Sequence, residues 1–145
     1  MRSFLRCQSL KVPPQKETYT QQEFISYAKL RLRMKDLEEL VYSNPNEGKR
    51  DPKNASRMIA EGLTKGIPDV FIAITKGIYH GMYIEFKRSE KEKPSPEQAE
   101  VISKLRKQGY FVFICHDSRV ACELFEKYLA LKSGESIIEE SAIRQ

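Results

Sequence analysis

The sequence predicts an α/β fold with helices on both faces of a small mixed sheet, and three observations carry this prediction. Short apolar runs alternate along the chain with longer segments of helical periodicity. Two of the runs are joined by a short connection that contains glycine, which is typical of a β-hairpin. A helical segment separates the second of them from the last apolar run, and a helical crossover joins strands that are parallel. With 145 residues, 40% of them hydrophobic, the chain suffices for one compact core.

The first half of the chain contains two predicted helices and a short strand. Residues 1–16 are basic and contain no acidic side chain, so we expect a flexible arm before the folded domain. From Thr18 to Leu40 the apolar positions follow helical spacing, which predicts a long amphipathic helix. Leu40 to Tyr42 is expected to form a short strand, and Pro52 to Leu63 a second helix that Gly62 ends.

The second half supplies the remaining strands and helices. We expect, in order, strands over residues 69–74 and 82–87, a helix over 95–108, a strand over 110–115 and a helix over 118–131. Ser95 is the expected N-cap of the first of these helices, with proline at the first helical position and Gln98 completing a capping box. The folded domain is therefore expected to span residues 17–131, followed by a loosely attached tail over 132–145.

Composition and charge limit the classes of function. The three cysteines, Cys7, Cys115 and Cys122, are odd in number and lack Cys-x-x-Cys spacing, which argues against a disulfide framework or a zinc site. No apolar stretch has the length of a signal peptide core or a membrane span, so we expect a cytoplasmic protein without a membrane partner. Gly48-Lys49 lacks the earlier glycine of a phosphate-binding loop, so no nucleotide cofactor is expected. The net charge of +5 favours an anionic partner such as nucleic acid.

Two carboxylates and a lysine stand at the ends of the predicted hairpin strands. Asp69 follows Pro68 and opens the first strand, whereas Glu85 and Lys87 close the second. Because side chains alternate along a strand, Glu85 and Lys87 share one face. Such a set suits metal-dependent cleavage of a phosphodiester bond. The alternative is an ordinary turn followed by a solvated strand face, but on central strands covered by helices these charges require a compensating partner such as a metal ion.

The same residues carry a resemblance to a known family. The matching segments are Glu61-Gly62-Leu63, Gly66-Ile67-Pro68-Asp69-Val70, Tyr79 to Lys87, Ser95-Pro96-Glu97-Gln98 and Gly109-Tyr110. Together, over residues 17–130, they resemble the virus-type replication-repair nuclease domain, VRR-NUC, of the PD-(D/E)xK nuclease superfamily. This resemblance implies a restriction-endonuclease-like αβββαβ core. It also implies a metal-dependent, structure-selective DNA endonuclease that acts in replication or repair on branched DNA, such as four-way (Holliday) junctions or flaps.

The resemblance further implies an assembly and a set of catalytic roles. The chain resembles the compact family members that consist of this domain alone, which are homodimeric enzymes of phage or bacteria. This resemblance implies that the protein is a homodimer. Asp69, Glu85 and the backbone carbonyl of Phe86 would bind Mg²⁺ or Mn²⁺. Lys87 would orient or deprotonate the attacking water. Gln98 would be directed towards the lysine or the water, although the capping box explains its presence equally well.

The family also uses a glutamate of the first helix, and two residues compete for that position. Glu17 is favoured because its spacing to Gln21 and Tyr27 resembles the family's glutamate, glutamine and aromatic positions. Glu23 is the competitor, but Thr20 to Glu23 is itself a capping box, which supplies a structural reason for this glutamate. We therefore expect Glu17 to complete the metal site.

Basic residues around the second and third helices are candidate DNA contacts, although each one alone is more often a solvated charge. They are Lys49, Arg50, Arg57, Lys104 and Lys107. Two other functions remain open at this point. One is a catalytically weak DNA-binding module on a nuclease scaffold that recruits partners, and the other is a sequence-specific nuclease of the restriction type.

Overall fold

The computed structural model describes residues 17–44 and 52–137. Its elements are α1 (Glu17–Arg33), a 3₁₀ helix (Glu38–Leu40), β1 (Val41–Ser43), α2 (Pro52–Ala60), β2 (Val70–Ile72), β3 (Met82–Phe86), α3 (Pro96–Lys107), β4 (Phe111–Cys115) and α4 (Ser118–Ala130). The strands form one sheet in the order β1-β2-β3-β4. The β1–β2 and β2–β3 pairs are antiparallel, and β3–β4 is parallel, as the α3 crossover predicts. The predicted α/β class and the mixed sheet are confirmed.

One face of the sheet holds the hydrophobic core. The register aligns Val41, Ile72, Met82 and Phe111 across the four strands, and every second residue along each strand points the same way. These side chains pack against α1 and α4, whose fully buried rings include Phe125. The core therefore lies between the sheet and these two helices.

The second face of the sheet carries Glu85, one of the predicted site residues. The register places Tyr42, Phe71 and Tyr83 in one row beside Val112, one residue out of phase with the core row. Helix α3 packs on this side against β4 and buries Ile102. Helices thus lie on both faces, as predicted, and on the second face α3 packs mainly against the edge strand β4.

Helix α1 is shorter than predicted, because the chain turns sharply after Arg33. The Asp36 N–H donates to the Arg33 carbonyl at 3.0 Å, and the Leu37 N–H donates to the Leu32 carbonyl at 3.3 Å. This pair of bonds is a Schellman motif, with Asp36 in the left-handed region at a φ of 55°. Leu37 then packs against the core. The prediction of a helix to Leu40 is wrong, since aspartate at this position gives no local sign of a helix end.

Helix α2 ends where glycine allows it. The Leu63 N–H donates to the Met58 carbonyl at 2.8 Å, and Gly62 adopts a φ of 105°. This is again a Schellman motif, here with glycine in the left-handed position. Gly62 ends the second helix as the sequence predicts.

The segment after α4 contacts the β2–β3 hairpin. The Ile78 N–H donates to the Glu135 carbonyl at 2.9 Å, and the Ile137 N–H donates to the Tyr79 hydroxyl oxygen at 3.3 Å. Residues 132–137, which the sequence predicts to be loosely attached, are therefore anchored to the hairpin. The predicted basic arm (1–16) and the last part of the predicted tail lie outside the described residues. Among the described helices, none is both long and apolar enough to cross a membrane.

Candidate functional site

Two buried carboxylates face each other across the central strands. Val70 of β2 pairs with Ile84 of β3, and one further step along each strand places Asp69 opposite Glu85 on the second face of the sheet. The exposed fractions are 7% for Asp69 and 2% for Glu85. Burial of an ionised carboxylate costs several kcal/mol unless hydrogen bonds or positive charge compensate it. The arrangement therefore requires specific partners around both side chains.

Hydrogen bonds from the residue after β1 and from β3 hold the backbone and the carboxylate of Asp69. Asn44 extends the β1–β2 pairing, because its N–H donates to the Asp69 carbonyl at 2.8 Å and its side-chain amide donates to the Pro68 carbonyl at 2.7 Å. On the other side, the Phe86 N–H donates to Asp69 Oδ2 at 2.7 Å. The sequence alone did not identify Asn44 as part of the site. An asparagine directly after a short strand is the signal that could have identified it, since its amide readily bonds nearby backbone.

Glu85, Lys87 and Gln98 form a compact hydrogen-bonded cluster. Lys87 Nζ lies 2.9 Å from Glu85 Oε1 and donates to Gln98 Oε1 at 2.8 Å. Gln98 Nε2 donates to Glu85 Oε1 at 2.5 Å. The lysine side chain is only 11% exposed, so its charge compensates the buried glutamate in a poorly solvated place. The predicted grouping of Glu85 with Lys87 on one face is thereby present in the structure.

Gln98 makes the contacts of both alternatives that the sequence left open, the capping box and the approach to Lys87. Its backbone N–H donates to Ser95 Oγ at 3.2 Å and its Oε1 accepts from the Ser95 N–H at 2.9 Å, which completes the capping box. The same Oε1 accepts from Lys87, and the amide nitrogen donates to Glu85. Because both neighbours of Oε1 are donors and Glu85 is an acceptor, only one orientation of the amide satisfies the cluster. The capping box thus aims the side chain at the site.

The first-helix glutamates differ in what the structure describes. Glu23 is exposed on α1, and its Oε2 accepts a hydrogen bond from Ser118 Oγ at 2.7 Å, next to the start of α4. Glu17 is the first residue of α1, but its side chain lies outside the described part of the structure. Among the described side chains, no group of three or more histidine, cysteine, aspartate and glutamate residues is placed to hold a metal. The expected third carboxylate, from Glu17, therefore stays a prediction.

The candidate DNA contacts lie on exposed helix surfaces. Arg57 on α2 forms an ion pair with Glu61 at 3.5 Å, and Lys104 on α3 forms one with Glu100 at 2.6 Å. Such solvent-exposed pairs are weak, so a phosphate can compete with the glutamate for the basic side chain. Lys107 is also exposed on α3. Two further candidates, Lys49 and Arg50, fall outside the described residues.

Comparison with known proteins identifies the family. The VRR-NUC domain matches residues 10–118 of the chain, which include both carboxylates, the lysine and the glutamine of the cluster. A solved structure described as a VRR_NUC domain protein is similar over 86% of this chain and 98% of that one, with a TM-score of 0.71 and 26% sequence identity. Among curated proteins, none matches the chain. The chain therefore belongs to the VRR-NUC family, from which a nuclease-type function follows.

Proposed function

We propose that this protein is a metal-dependent endonuclease of the PD-(D/E)xK class that hydrolyses phosphodiester bonds in branched DNA, such as four-way junctions or flaps. One observation carries the proposal: Asp69 and Glu85 are buried opposite each other, and Lys87 and Gln98 contact Glu85 directly. A pair of buried carboxylates with an adjacent lysine suits phosphodiester hydrolysis, because the carboxylates can bind a divalent cation and the lysine can stabilise the charge that develops on the phosphate.

The donor set fits a hard divalent cation. The ligands that we propose are carboxylate oxygens of Asp69 and Glu85 and the carbonyl oxygen of Phe86, with Glu17 as a further carboxylate. Oxygen ligands of this kind suit Mg²⁺ and Mn²⁺, whereas zinc sites are usually built from histidine and cysteine. When bound, the metal would make a coordinated water more acidic and stabilise the charge that develops on the scissile phosphate.

Lys87 is the residue that we propose to position the nucleophile. An ammonium group has three N–H bonds, and among the described residues two of its acceptors are Glu85 Oε1 and Gln98 Oε1. One N–H therefore remains for a water or a phosphate oxygen. Gln98 holds the ammonium from the helix side, so we propose that it is a positioning residue for Lys87.

The charge of the chain and the family both support a DNA substrate. The chain carries a net charge of +5, and phosphate contacts dominate the affinity of DNA-binding proteins. Arg57, Lys104 and Lys107 are exposed on helices and we propose that they bind phosphates. A homodimer would present two cleavage sites related by symmetry, which suits symmetric cutting of a four-way junction.

Cleavage of labelled DNA tests the proposal. Wild-type protein with Mg²⁺ or Mn²⁺ should cut branched DNA in preference to linear duplex, and a chelator should stop the reaction. Asp69→Asn and Lys87→Ala should each reduce the cleavage rate by about 100-fold or more, because each removes a group that acts in the transition state. Both variants should still bind DNA. Lys132→Ala removes a lysine far along the chain from the cluster and is the matched control, which should cut like wild type.

Each other outcome has a definite meaning. A wild-type protein that leaves duplex, flap and junction DNA intact over a broad enzyme range with both metals refutes the proposal. If that protein still binds DNA, it is a DNA-binding module on a nuclease scaffold. Equal cutting by wild type and both variants indicates a contaminating nuclease. Cleavage at one short site on linear duplex indicates a restriction-type enzyme.

A further inference from the structure

An aromatic cluster lies on the second face of the sheet. Its members are Tyr42 of β1, Phe71 of β2, Tyr83 of β3 and Tyr110 just before β4, and we call it the aromatic shelf. Phe71 and Tyr83 are stacked, with ring centroids 4.4 Å apart and an interplanar angle of 26°. Tyr42 meets Phe71 edge-on at 5.6 Å, and Tyr110 meets Tyr83 edge-on at 5.5 Å. The four rings therefore form one continuous surface.

The aromatic shelf remains accessible to solvent. Tyr42 is 45% exposed, and the other three rings are partly exposed. Aromatic rings contribute most to protein stability when they are buried. A continuous row of rings that stays accessible on a sheet face is therefore a candidate recognition surface. Burial raises the pKa of Tyr83, with smaller contributions from Tyr110 and Tyr42. The four rings offer flat, largely apolar faces that suit a planar ligand.

The shelf is continuous with the proposed site. Asp69 stands two residues before Phe71, and Glu85 stands two residues after Tyr83, so all four side chains share the second face of the sheet. Two residues along a strand span about 7 Å. A nucleic-acid strand whose scissile phosphate lies at the proposed site would therefore have its neighbouring bases over the rings.

A cation also lies at one end of the row. The Arg106 guanidinium donates to the Val112 carbonyl at 2.9 Å, and Val112 is the residue that pairs with Tyr83 in the sheet. Arg106 is exposed, so its remaining N–H groups face solvent or a ligand. Aromatic rings with an adjacent arginine are the combination by which proteins bind unpaired nucleotides.

We propose that the aromatic shelf binds unpaired bases by stacking, so that the strand beside the scissile phosphate is recognised in its single-stranded form. This inference rests on the proposed nuclease function and deepens it, because it names the feature of the DNA that is selected. A second copy of the chain is a poorer occupant of this surface. A stable dimer buries about 800 Å² of surface on each partner, and the accessible area of four partly exposed rings is well below that.

Stacking can be measured without cleavage. The probe is a short single-stranded DNA that contains 2-aminopurine, whose fluorescence falls when the base stacks, titrated in the presence of a chelator. Wild type should quench the probe, and Tyr42→Ala should weaken binding by about fivefold or more, which corresponds to about 1 kcal/mol. Tyr42→Phe keeps the ring and should retain quenching. Binding to fully paired duplex should be the same for all these proteins, because paired bases cannot reach the rings.

Tyr19→Ala is the matched control. Tyr19 is an exposed tyrosine on α1, 52% accessible, and α1 packs on the opposite face of the sheet. This variant should quench the probe like wild type. Because Tyr42 lies on the surface of an edge strand, Tyr42→Ala is expected to fold, which circular dichroism verifies.

Three results would overturn the inference. They are a wild type that does not quench the probe, a Tyr42→Ala variant that binds it as wild type does, and a Tyr42→Ala variant that sediments as a monomer where wild type is a dimer while quenching is unchanged. The last result assigns the shelf to an interface between copies. Metal-dependent cleavage without quenching leaves the proposed function intact and removes the shelf. Tyr42-dependent quenching without cleavage supports the shelf and removes the nuclease proposal.

Discussion

Gly66 provides a sharp test of how the site is built, because it touches the helix that carries Gln98. Gly66 adopts a φ of 82°, and a Cβ added there would lie 2.7 Å from the Glu97 carbonyl oxygen and 3.0 Å from the Gln98 nitrogen. Both atoms belong to the backbone of the first turn of α3. Gly66→Ala should therefore push the start of α3 away from the sheet and move the Gln98 amide from Glu85 and Lys87.

The magnitude combines two effects. An alanine in the left-handed region costs about 1–2 kcal/mol, and relief of an overlap with packed backbone costs about 1–3 kcal/mol more. Gly66→Ala should thus lower the free energy of unfolding by about 2–5 kcal/mol and the thermal midpoint by roughly 5–20 °C. A displacement near 1 Å in an active site can reduce activity by about 100-fold. We expect DNA cleavage, measured well below the thermal midpoint, to fall by about 10- to 100-fold.

Gly62 is the matched control. It also has a positive φ, 105°, but an added Cβ there meets nothing within 4 Å. Gly62→Ala should carry only the backbone cost of about 1–2 kcal/mol and should cut DNA like wild type. The reasoning is refuted if both alanine variants have the same thermal midpoint, or if folded Gly66→Ala cleaves DNA at the wild-type rate.

Two further predictions concern the turn after α1 and a thiol. Asp36→Gly should stabilise the protein by about 0.5–1 kcal/mol, because relief of left-handed strain at a φ of 55° outweighs the added entropy of the unfolded chain. Thermal unfolding of this variant should show a higher midpoint than wild type, whereas Asp36→Ala should show no gain. A lower midpoint for the glycine variant would contradict the assignment. Burial raises the pKa of the Cys122 thiol from 9.0 to about 11, assisted by the nearby Glu126 carboxylate. In a Cys7→Ser background, labelling of Cys122 by a disulfide reagent is followed by peptide mass spectrometry, which separates it from the other free thiol, Cys115. The rate should be about 100-fold slower at pH 8 than that of an ordinary thiol and should rise about tenfold per pH unit up to pH 10, since only the thiolate reacts. A rate equal to that of a free thiol at pH 8 would count against this burial.

Several features were predictable because they depend on residues close together in the chain. The alternation of a strand places Glu85 and Lys87 on one face without knowledge of any other element. The N-cap, proline and glutamine of the α3 start form their capping box within four residues. Gly62 ends α2 because glycine is the residue that most easily adopts a positive φ. In each case the controlling interactions are local.

Other features were not predictable, because they depend on contacts between distant segments. Asp36 ends α1 in a conformation that usually requires glycine, and it is the packing of Leu37 on the core that holds the turn there. Glu23 bonds to Ser118, and Asn44 bonds to Pro68, across 95 and 24 positions of the sequence. These pairings cannot be predicted from helical spacing or from loop composition.

By itself, the sequence determined the order and type of the main elements, the shared face of Glu85 and Lys87, and the capping box at Gln98. Only the tertiary structure decided that Asp69 stands opposite Glu85 and that the Gln98 amide reaches both Glu85 and Lys87. It also decided that the aromatic shelf stays accessible. The physical reason is that strand register and helix docking are set by burial summed over many distant side chains, whereas periodicity and capping are set within one or two turns of backbone.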